Sequence, residues 1–177
     1  MKTKLIVLLF LILGWNASYA CTCKKVKTVK QAYKYHESIV YGKVLRKTLV
    51  TLESTMNPQR RDSLKQVYEN NYRKLRSLKA KGILKIEVEI IKEFKGRSKT
   101  SILTIYTPNT REDCGYTEFE VGKEYLIYGS SRGYMYLEFQ AKRKYIEYER
   151  KNTFWTVHCY RTKEYLESEA KELGELM

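Results

Sequence analysis

The sequence predicts a β-dominated fold, a small closed barrel with flanking helices and one long helical insertion. Residues 84–90 alternate strictly between apolar and polar side chains, which is the period of a half-buried antiparallel strand. Further short apolar runs follow, separated by polar turns, and this pattern is typical of small barrels. Within residues 57–81, apolar side chains instead recur at spacings of three and four, which indicates an amphipathic helix.

Each of the other elements has a local signal. Thr28 and Gln31 match a capping box that opens a short helix ending near Tyr35. Residues 39–45 are predicted to form a strand in which Gly42 marks a bulge or sharp bend. Further strands are predicted at 102–106, 124–128, 134–139 and 153–158.

The insertion is expected to be one helix. Asn57 and Pro58 suit its start, and Gly82 is placed to end it. Its polar face is strongly basic, which is compatible with a docking surface, although a solvated face with the apolar stripe packed on the sheet is favoured. The basic residues are Arg60, Arg61, Lys65, Arg73, Lys74, Arg76, Lys79 and Lys81.

The carboxy-terminal part contains two further features. Residues 142–151 form a charged connector that suggests an added hairpin. Thr162 is predicted to cap a closing helix. The inner face of that helix is expected to contain Tyr165, Leu166, Leu173 and Leu176.

The amino-terminal segment has the pattern of a secretory signal. A basic start is followed by an apolar run over residues 5–13, and Ser18 and Ala20 supply the small residues that signal peptidase requires. The sequence therefore predicts a signal peptide over 1–20 and a secreted domain, extracellular or periplasmic, over 21–177. The apolar run is too short for a permanent bilayer span, so no transmembrane anchor is predicted. A lipoprotein with an acylated Cys21 is an open alternative.

The chain is strongly basic. Its formal net charge of +14 falls to +12 when the signal removes Lys2 and Lys4. Such a charge favours polyanions such as acidic glycans or anionic surfaces, and it also serves solubility. No specific nucleic-acid partner is predicted.

Four cysteines remain after cleavage, namely Cys21, Cys23, Cys114 and Cys159. An even count in an oxidising compartment implies two disulfides with three possible pairings. A bridge between Cys21 and Cys23 would close a very tight ring, whereas the other two pairings tie the amino terminus to Cys114 and Cys159. Each of those closes a long loop worth roughly 3 to 5 kcal/mol. A four-thiolate zinc site is the competing interpretation, but the spacing lacks paired C-x-x-C motifs.

Cleavage after Ala20 would leave Cys21 with a free α-amine beside its own carbonyl, a pair that can chelate a metal. No catalytic motif accompanies this pair. His36 and His158 are the two histidines, and the motifs of zinc proteases, serine hydrolases and phosphate-binding loops are absent. The sequence therefore predicts a protein that is not an enzyme and has no cofactor of its own.

Six motifs stand in a distinctive order along the chain: Cys21-Thr22-Cys23 directly after the signal, Phe94-Lys95-Gly96, Ile105-Tyr106-Thr107-Pro108, Cys114-Gly115-Tyr116, residues 124–129 and a late strand that ends in Cys159. In content and order they resemble the tissue inhibitors of metalloproteinases. The resemblance covers about the whole mature chain as the family's amino-terminal, netrin-like domain. It implies a five-stranded oligonucleotide/oligosaccharide-binding (OB) barrel.

The resemblance also implies disulfides from Cys21 to Cys114 and from Cys23 to Cys159, and a mechanism. The amine and carbonyl of Cys21 would bind the catalytic zinc of a target metalloproteinase and displace its reactive water. Thr22 would enter the S1′ pocket. The protease-binding residues implied are Cys21, Thr22, Cys23, Lys24, Glu112, Asp113 and Cys114.

The sequence departs from the family in places. Lys34 stands where the family has a third-bridge cysteine, and Lys24 and Lys25 replace less charged residues. The alternative function is therefore a secreted netrin-like module that binds a polyanion or a protein partner without inhibiting anything. A wall or envelope structural protein is a third interpretation, supported by the tyrosine content alone.

Overall fold

The computed structural model describes residues 28–96, 98, 100–131 and 153–177. Six strands in this part of the chain form one sheet that curls into half a barrel. They are β1 (Ser38–Thr51), β2 (Gly82–Lys95), β3 (Ile102–Pro108), β4 (Glu124–Gly129), β5 (Thr153–Trp155) and β6 (Lys163–Glu164). The β-dominated prediction is confirmed.

Four α-helices and one short 3-10 helix flank the sheet within the described residues. They are α1 (Val29–Tyr35), the 3-10 helix Leu52–Thr55, α2 (Pro58–Val67), α3 (Tyr72–Ala80) and α4 (Glu167–Gly174). The cap predicted for α1 is present, because Thr28 Oγ1 accepts a hydrogen bond from the Gln31 amide at 3.2 Å.

The sheet order is β5-β3-β2-β1-β4-β6. All neighbours are antiparallel except β3 and β5, which are parallel. An isolated bridge between Ser130 and Trp155 also connects the end of β4 to the end of β5, with N–O distances of 2.9 and 2.8 Å. β4 and β5, which are not neighbours in the sheet order, are therefore also joined to each other at one end.

The bend predicted in the first strand lies at Gly42. The register between β1 and β2 shifts between Tyr41 and Gly42, as expected for a bulge. A Cβ atom on Gly42 would stand 2.6 Å from the Glu89 carbonyl oxygen, so a larger residue would push the two strands apart. Both strands are longer than predicted because their pairing continues to Thr51 and Gly82.

The main core packs on one face of the sheet. Tyr116 and Phe119, from the connection between β3 and β4, pack there with their ring centroids 4.9 Å apart. The other core members come from the strands: Val40, Val44, Leu84, Ile86, Val88, Leu103, Ile105, Tyr125 and Ile127. This packing holds the β3–β4 connection against the sheet.

The insertion is two helices, not the single long helix predicted. α2 ends in a turn in which the Asn71 amide donates to the Tyr68 carbonyl at 2.8 Å. Asn71 Oδ1 then accepts from the Lys74 amide at 3.1 Å and caps α3. Asparagine favours caps and turns over helix interiors because its side chain competes for backbone hydrogen bonds, which explains the break.

Thr162 does not cap the closing helix. Its Oγ1 accepts from the buried Tyr128 amide at 3.0 Å and lies 2.7 Å from Thr156 Oγ1. α4 begins only at Glu167, after an extended Leu166. Leu173 is fully buried as predicted, whereas Tyr165 and Leu166 are exposed because they precede the helix.

A buried carboxylate fastens α4 to the sheet. Glu169 accepts hydrogen bonds from Tyr128 Oη at 2.6 Å and from Arg161 Nη2 at 2.7 Å, and it also pairs with Lys163. Burial alone would raise the pKa of Glu169, but the hydrogen bonds from Arg161, Lys163 and Tyr128 lower it. The carboxylate therefore stays charged, and its partners neutralise it.

Some sequence predictions lie outside the described residues. These are the signal peptide, the strand at 134–139 and the charged connector at 142–151. In the part of the chain that the structure describes, no helix is long and apolar enough to cross a membrane.

Candidate functional site

The loop after β3 contains Cys114 and is closed by its own hydrogen bonds. The Gly115 amide donates to the Thr110 carbonyl at 2.8 Å, and the Cys114 amide donates to the Arg111 carbonyl at 2.9 Å. Thr110 Oγ1 accepts from the Asp113 amide at 3.3 Å. Cys114 has a φ of 62°, a left-handed conformation that residues other than glycine rarely adopt. These constraints leave the loop a single well-defined shape.

Gly115 and Tyr116 fix this loop to the sheet. A Cβ atom on Gly115 would stand 2.0 Å from the Pro108 carbonyl oxygen, so only glycine fits. The Tyr116 amide donates to the buried Thr107 Oγ1 at 2.8 Å. Burial, together with the nearby Glu118 carboxylate, raises the pKa of Tyr116 well above its usual range, so its hydroxyl stays neutral. The Cys-Gly-Tyr motif therefore has a physical cause in this loop.

Cys159 lies beside Cys114. The His158 amide donates to the Cys114 carbonyl at 2.8 Å, which joins the segment after β5 to the cysteine loop. The Thr156 amide donates to the Tyr106 carbonyl at 2.9 Å and continues the pairing with β3. Cys159 is buried and Cys114 half-buried, and neither of these described cysteines is a free thiol.

The insertion also reaches the cysteine loop. Lys81, which follows α3, places Nζ 3.1 Å from Asp113 Oδ1. Asp113 Oδ2 accepts from Thr110 Oγ1 at 3.3 Å, so the carboxylate is held from both sides. Glu112, one residue earlier, is exposed at the surface of the loop.

The structure therefore brings together the predicted site residues Glu112, Asp113 and Cys114, with Cys159 next to them. The other predicted site residues, Cys21, Thr22, Cys23 and Lys24, lie outside the described part of the chain, and the disulfide pairing stays a prediction.

Sequence reasoning missed three residues that shape the site, namely Lys81, Thr107 and the backbone of His158. Thr107 belongs to the Ile105-Tyr106-Thr107-Pro108 motif, which was the available signal, but the motif does not show which group its hydroxyl binds. The other two contacts depend on long-range packing.

These residues form one continuous site. Its groups are a constrained loop, two neighbouring cysteines and two carboxylates, one of them exposed. Among the described residues, no group of three histidine, cysteine or acidic side chains is placed to hold a metal ion.

Comparison with protein-family models gives no match to this chain, and comparison with curated proteins gives none either. The family resemblance therefore rests on the sequence motifs, and family membership stays a prediction.

Proposed function

We propose that this chain is a secreted inhibitor of zinc metalloproteinases. The observation that supports it best is the proximity of Cys114 to Cys159, given by the 2.8 Å hydrogen bond from the His158 amide to the Cys114 carbonyl. Cys21 and Cys23 are two residues apart, about 7 Å in an extended chain. A disulfide spans roughly 4 to 7 Å between Cα atoms. A Cys-Thr-Cys segment bonded to two anchors therefore requires those anchors to be close neighbours.

The strand pairing supports the finer proposal of an OB barrel. Followed as a ring, the strands run β1, β2, β3, β5, β4 and back to β1, and β6 is added at the edge of β4. The step from β5 to β4 is the Ser130–Trp155 bridge. A five-membered, partly open ring of this kind is what an OB-fold requires.

The chemistry of inhibition would reside in the first residue after the signal. With both sulfurs fixed, the amine and carbonyl of Cys21 would point together at the open coordination position of the protease's zinc. Occupying that position removes the water that attacks the peptide substrate. Thr22 would enter the S1′ pocket, and Lys24, Glu112 and Asp113 would contact the protease beside it.

The shape of the Cys114 loop supports tight binding. Its positive φ, its internal hydrogen bonds and the fit of Gly115 against Pro108 hold it in one conformation. A surface that is already ordered loses little conformational entropy when a partner binds. The protein would therefore act as an inhibitor whose binding surface is formed before the protease binds, and not as an enzyme. The only metal involved would be the zinc of its target.

Peptide mapping tests the covalent framework. We expect the intact mature protein to begin at Cys21, to contain no free thiol, and to link Cys21 to Cys114 and Cys23 to Cys159. An acylated Cys21, or a bridge between Cys21 and Cys23, would contradict this framework.

The activity itself is tested with a broad panel of purified zinc metalloproteinases. We expect the native protein to inhibit at least one of them reversibly at a one-to-one ratio. If it inhibits none, the alternative applies, a secreted netrin-like module that uses its basic surface on an acidic glycan or another partner.

A further inference from the structure

A cleft separates α3 from the loop that contains Cys114. Arg73, Arg76 and Ser77 line one wall, and Asn109 and Asp113 line the other. Its volume is about 520 Å³, enough for several side chains of a partner. We call it the arginine cleft.

The helical wall of the arginine cleft is firmly supported. Asn71 caps α3 through its 3.1 Å hydrogen bond with the Lys74 amide. On the opposite side of the helix, Leu78 is 1 % exposed and packs with Leu52 and Trp155. Because residues three apart are neighbours on a helix surface, Arg73 and Arg76 lie next to each other along the cleft.

These two guanidinium groups supply the uncompensated charge of the cleft. Lys81 is neutralised by Asp113 at 3.1 Å, whereas neither Arg73 nor Arg76 forms an ion pair with another described residue. α3 itself contains no acidic residue. The cleft therefore offers two neighbouring positive charges that can pair with carboxylates.

The surroundings favour a protein over a glycan as the occupant. Asp113 on the facing wall is a carboxylate paired with Lys81, so the cleft has mixed charges and is not the uniformly basic surface that suits a polyanion. Leu49, which is 62 % exposed, lies beside the floor, since a Cβ atom on Gly82 would stand 3.1 Å from its Cδ1 and 2.6 Å from Asn109 Nδ2. Arginines beside an exposed apolar side chain and opposite charges are typical of protein interfaces.

We propose that the arginine cleft binds an acidic segment of the inhibited metalloproteinase, whose carboxylates pair with Arg73 and Arg76. This inference rests on the proposed function, because the second wall of the cleft is the Cys114 loop. In the proposed arrangement, with Cys21 bonded to Cys114, the contact would lie beside the zinc-directed terminus and not at it. It therefore selects which protease is bound and accelerates association, while Cys21 performs the inhibition.

The test compares matched double charge reversals. Arg73→Glu/Arg76→Glu changes the cleft, and Lys30→Glu/Lys34→Glu makes the same change of charge on exposed residues of α1. The inhibition constant is measured against the panel protease that the native protein inhibits most tightly. We expect the cleft variant to be weakened at least tenfold and the α1 variant less than twofold. Added salt should weaken the native protein more than the cleft variant.

A conservative variant refines the result. Arg73→Lys/Arg76→Lys keeps the charge but loses the planar fork that binds a carboxylate at two points, so we expect an intermediate loss. All the altered side chains are exposed, and the melting temperatures of the variants should match that of the native protein.

The possible outcomes separate the two proposals. If the cleft variant inhibits as well as the native protein, the cleft inference is overturned and the inhibitor proposal stands. If the cleft variant keeps its inhibition but loses retention on heparin, the occupant is a polyanion and the acidic-protein inference is also overturned. A native protein that inhibits no panel member overturns both.

Discussion

One alanine added before Cys21 is expected to abolish inhibition of a sensitive metalloproteinase without changing the fold. A five-membered chelate needs the amine and the carbonyl of the same residue, and the added alanine turns that amine into a peptide nitrogen. The free amine titrates near pH 8 and loses its proton readily to a metal, whereas an amide does not. We expect the inhibition constant to rise at least about 100-fold, or roughly 3 kcal/mol.

Three further measurements test this interpretation. Acetylation of the Cys21 amine should have the same effect as the added alanine. Replacing Thr22 by glycine should cost less, roughly 1 to 3 kcal/mol, because only a pocket contact is lost. The melting temperature should stay constant in all three proteins. If the extended protein inhibits as well as the native one, zinc chelation by Cys21 is not the mechanism.

Acidification is expected to destabilise the protein through His36. This residue is 3 % exposed and packs its ring against Tyr160 and Tyr128, at centroid distances of 4.3 and 5.6 Å. Neither ring nitrogen has a hydrogen-bond partner among the described residues. Burial, reinforced by the charge of Lys95 and opposed by Glu37, lowers the pKa of His36 to about 4.

The sign of the effect follows from linkage. The unfolded ring has a pKa of 6.5, so the unfolded chain binds a proton more readily than the folded one. The stability contributed by neutral His36 is complete above pH 6.5 and is lost as the pH falls toward 4. Over that window the loss amounts to about 3 kcal/mol.

Chemical denaturation at a series of pH values measures this loss. His36→Phe, which keeps an aromatic ring but cannot be protonated, should flatten the dependence of the unfolding free energy between pH 6.5 and 4. His158→Gln is the matched control, because it removes the other histidine and leaves His36 intact. Parallel profiles for native protein and His36→Phe would exclude the buried ring as the cause.

Local chemistry explains the predictions that are confirmed. The alternation along residues 84–90 has one physical solution, a strand with one buried face, and β2 is that strand. The Gly42 bulge and the Thr28 cap are likewise set by one or two residues acting on their own backbone. Such features follow from the sequence because few other segments of the chain can alter them.

The sequence predictions were wrong where two local signals compete or where a distant residue determines the local structure. In the insertion, helical periodicity continues across residues 68–71, but Asn71 stabilises a helix more as its cap than as an interior residue. Thr162 has the chemistry of a cap, yet it bonds the Tyr128 amide from a distant strand. Only the folded sheet makes that partner available.

In the candidate site, too, the features set by local sequence were predictable and the long-range contacts were not. The Cys-Gly-Tyr motif predicted a special loop, and the structure gives the reason in the approach of Gly115 to Pro108. The contact between His158 and Cys114, and the pairing of Lys81 with Asp113, join segments far apart in the chain. Neither has a signature in composition or periodicity, so neither was predictable before the sheet was known.

The pairing of Thr51 with Gly82 has a consequence for how the chain folds. This pair brings together the two ends of the insertion, so β1 and β2 must find each other across its whole length. Closing a loop of about 30 residues instead of about 5 adds only roughly 1.5 kcal/mol to the entropic cost, because that cost grows with the logarithm of length. Helices that form early within the loop shorten its effective length further. Pairing of β1 with β2 is therefore only about tenfold less favourable than in a simple hairpin, and a further change in the length of the insertion would alter this cost little.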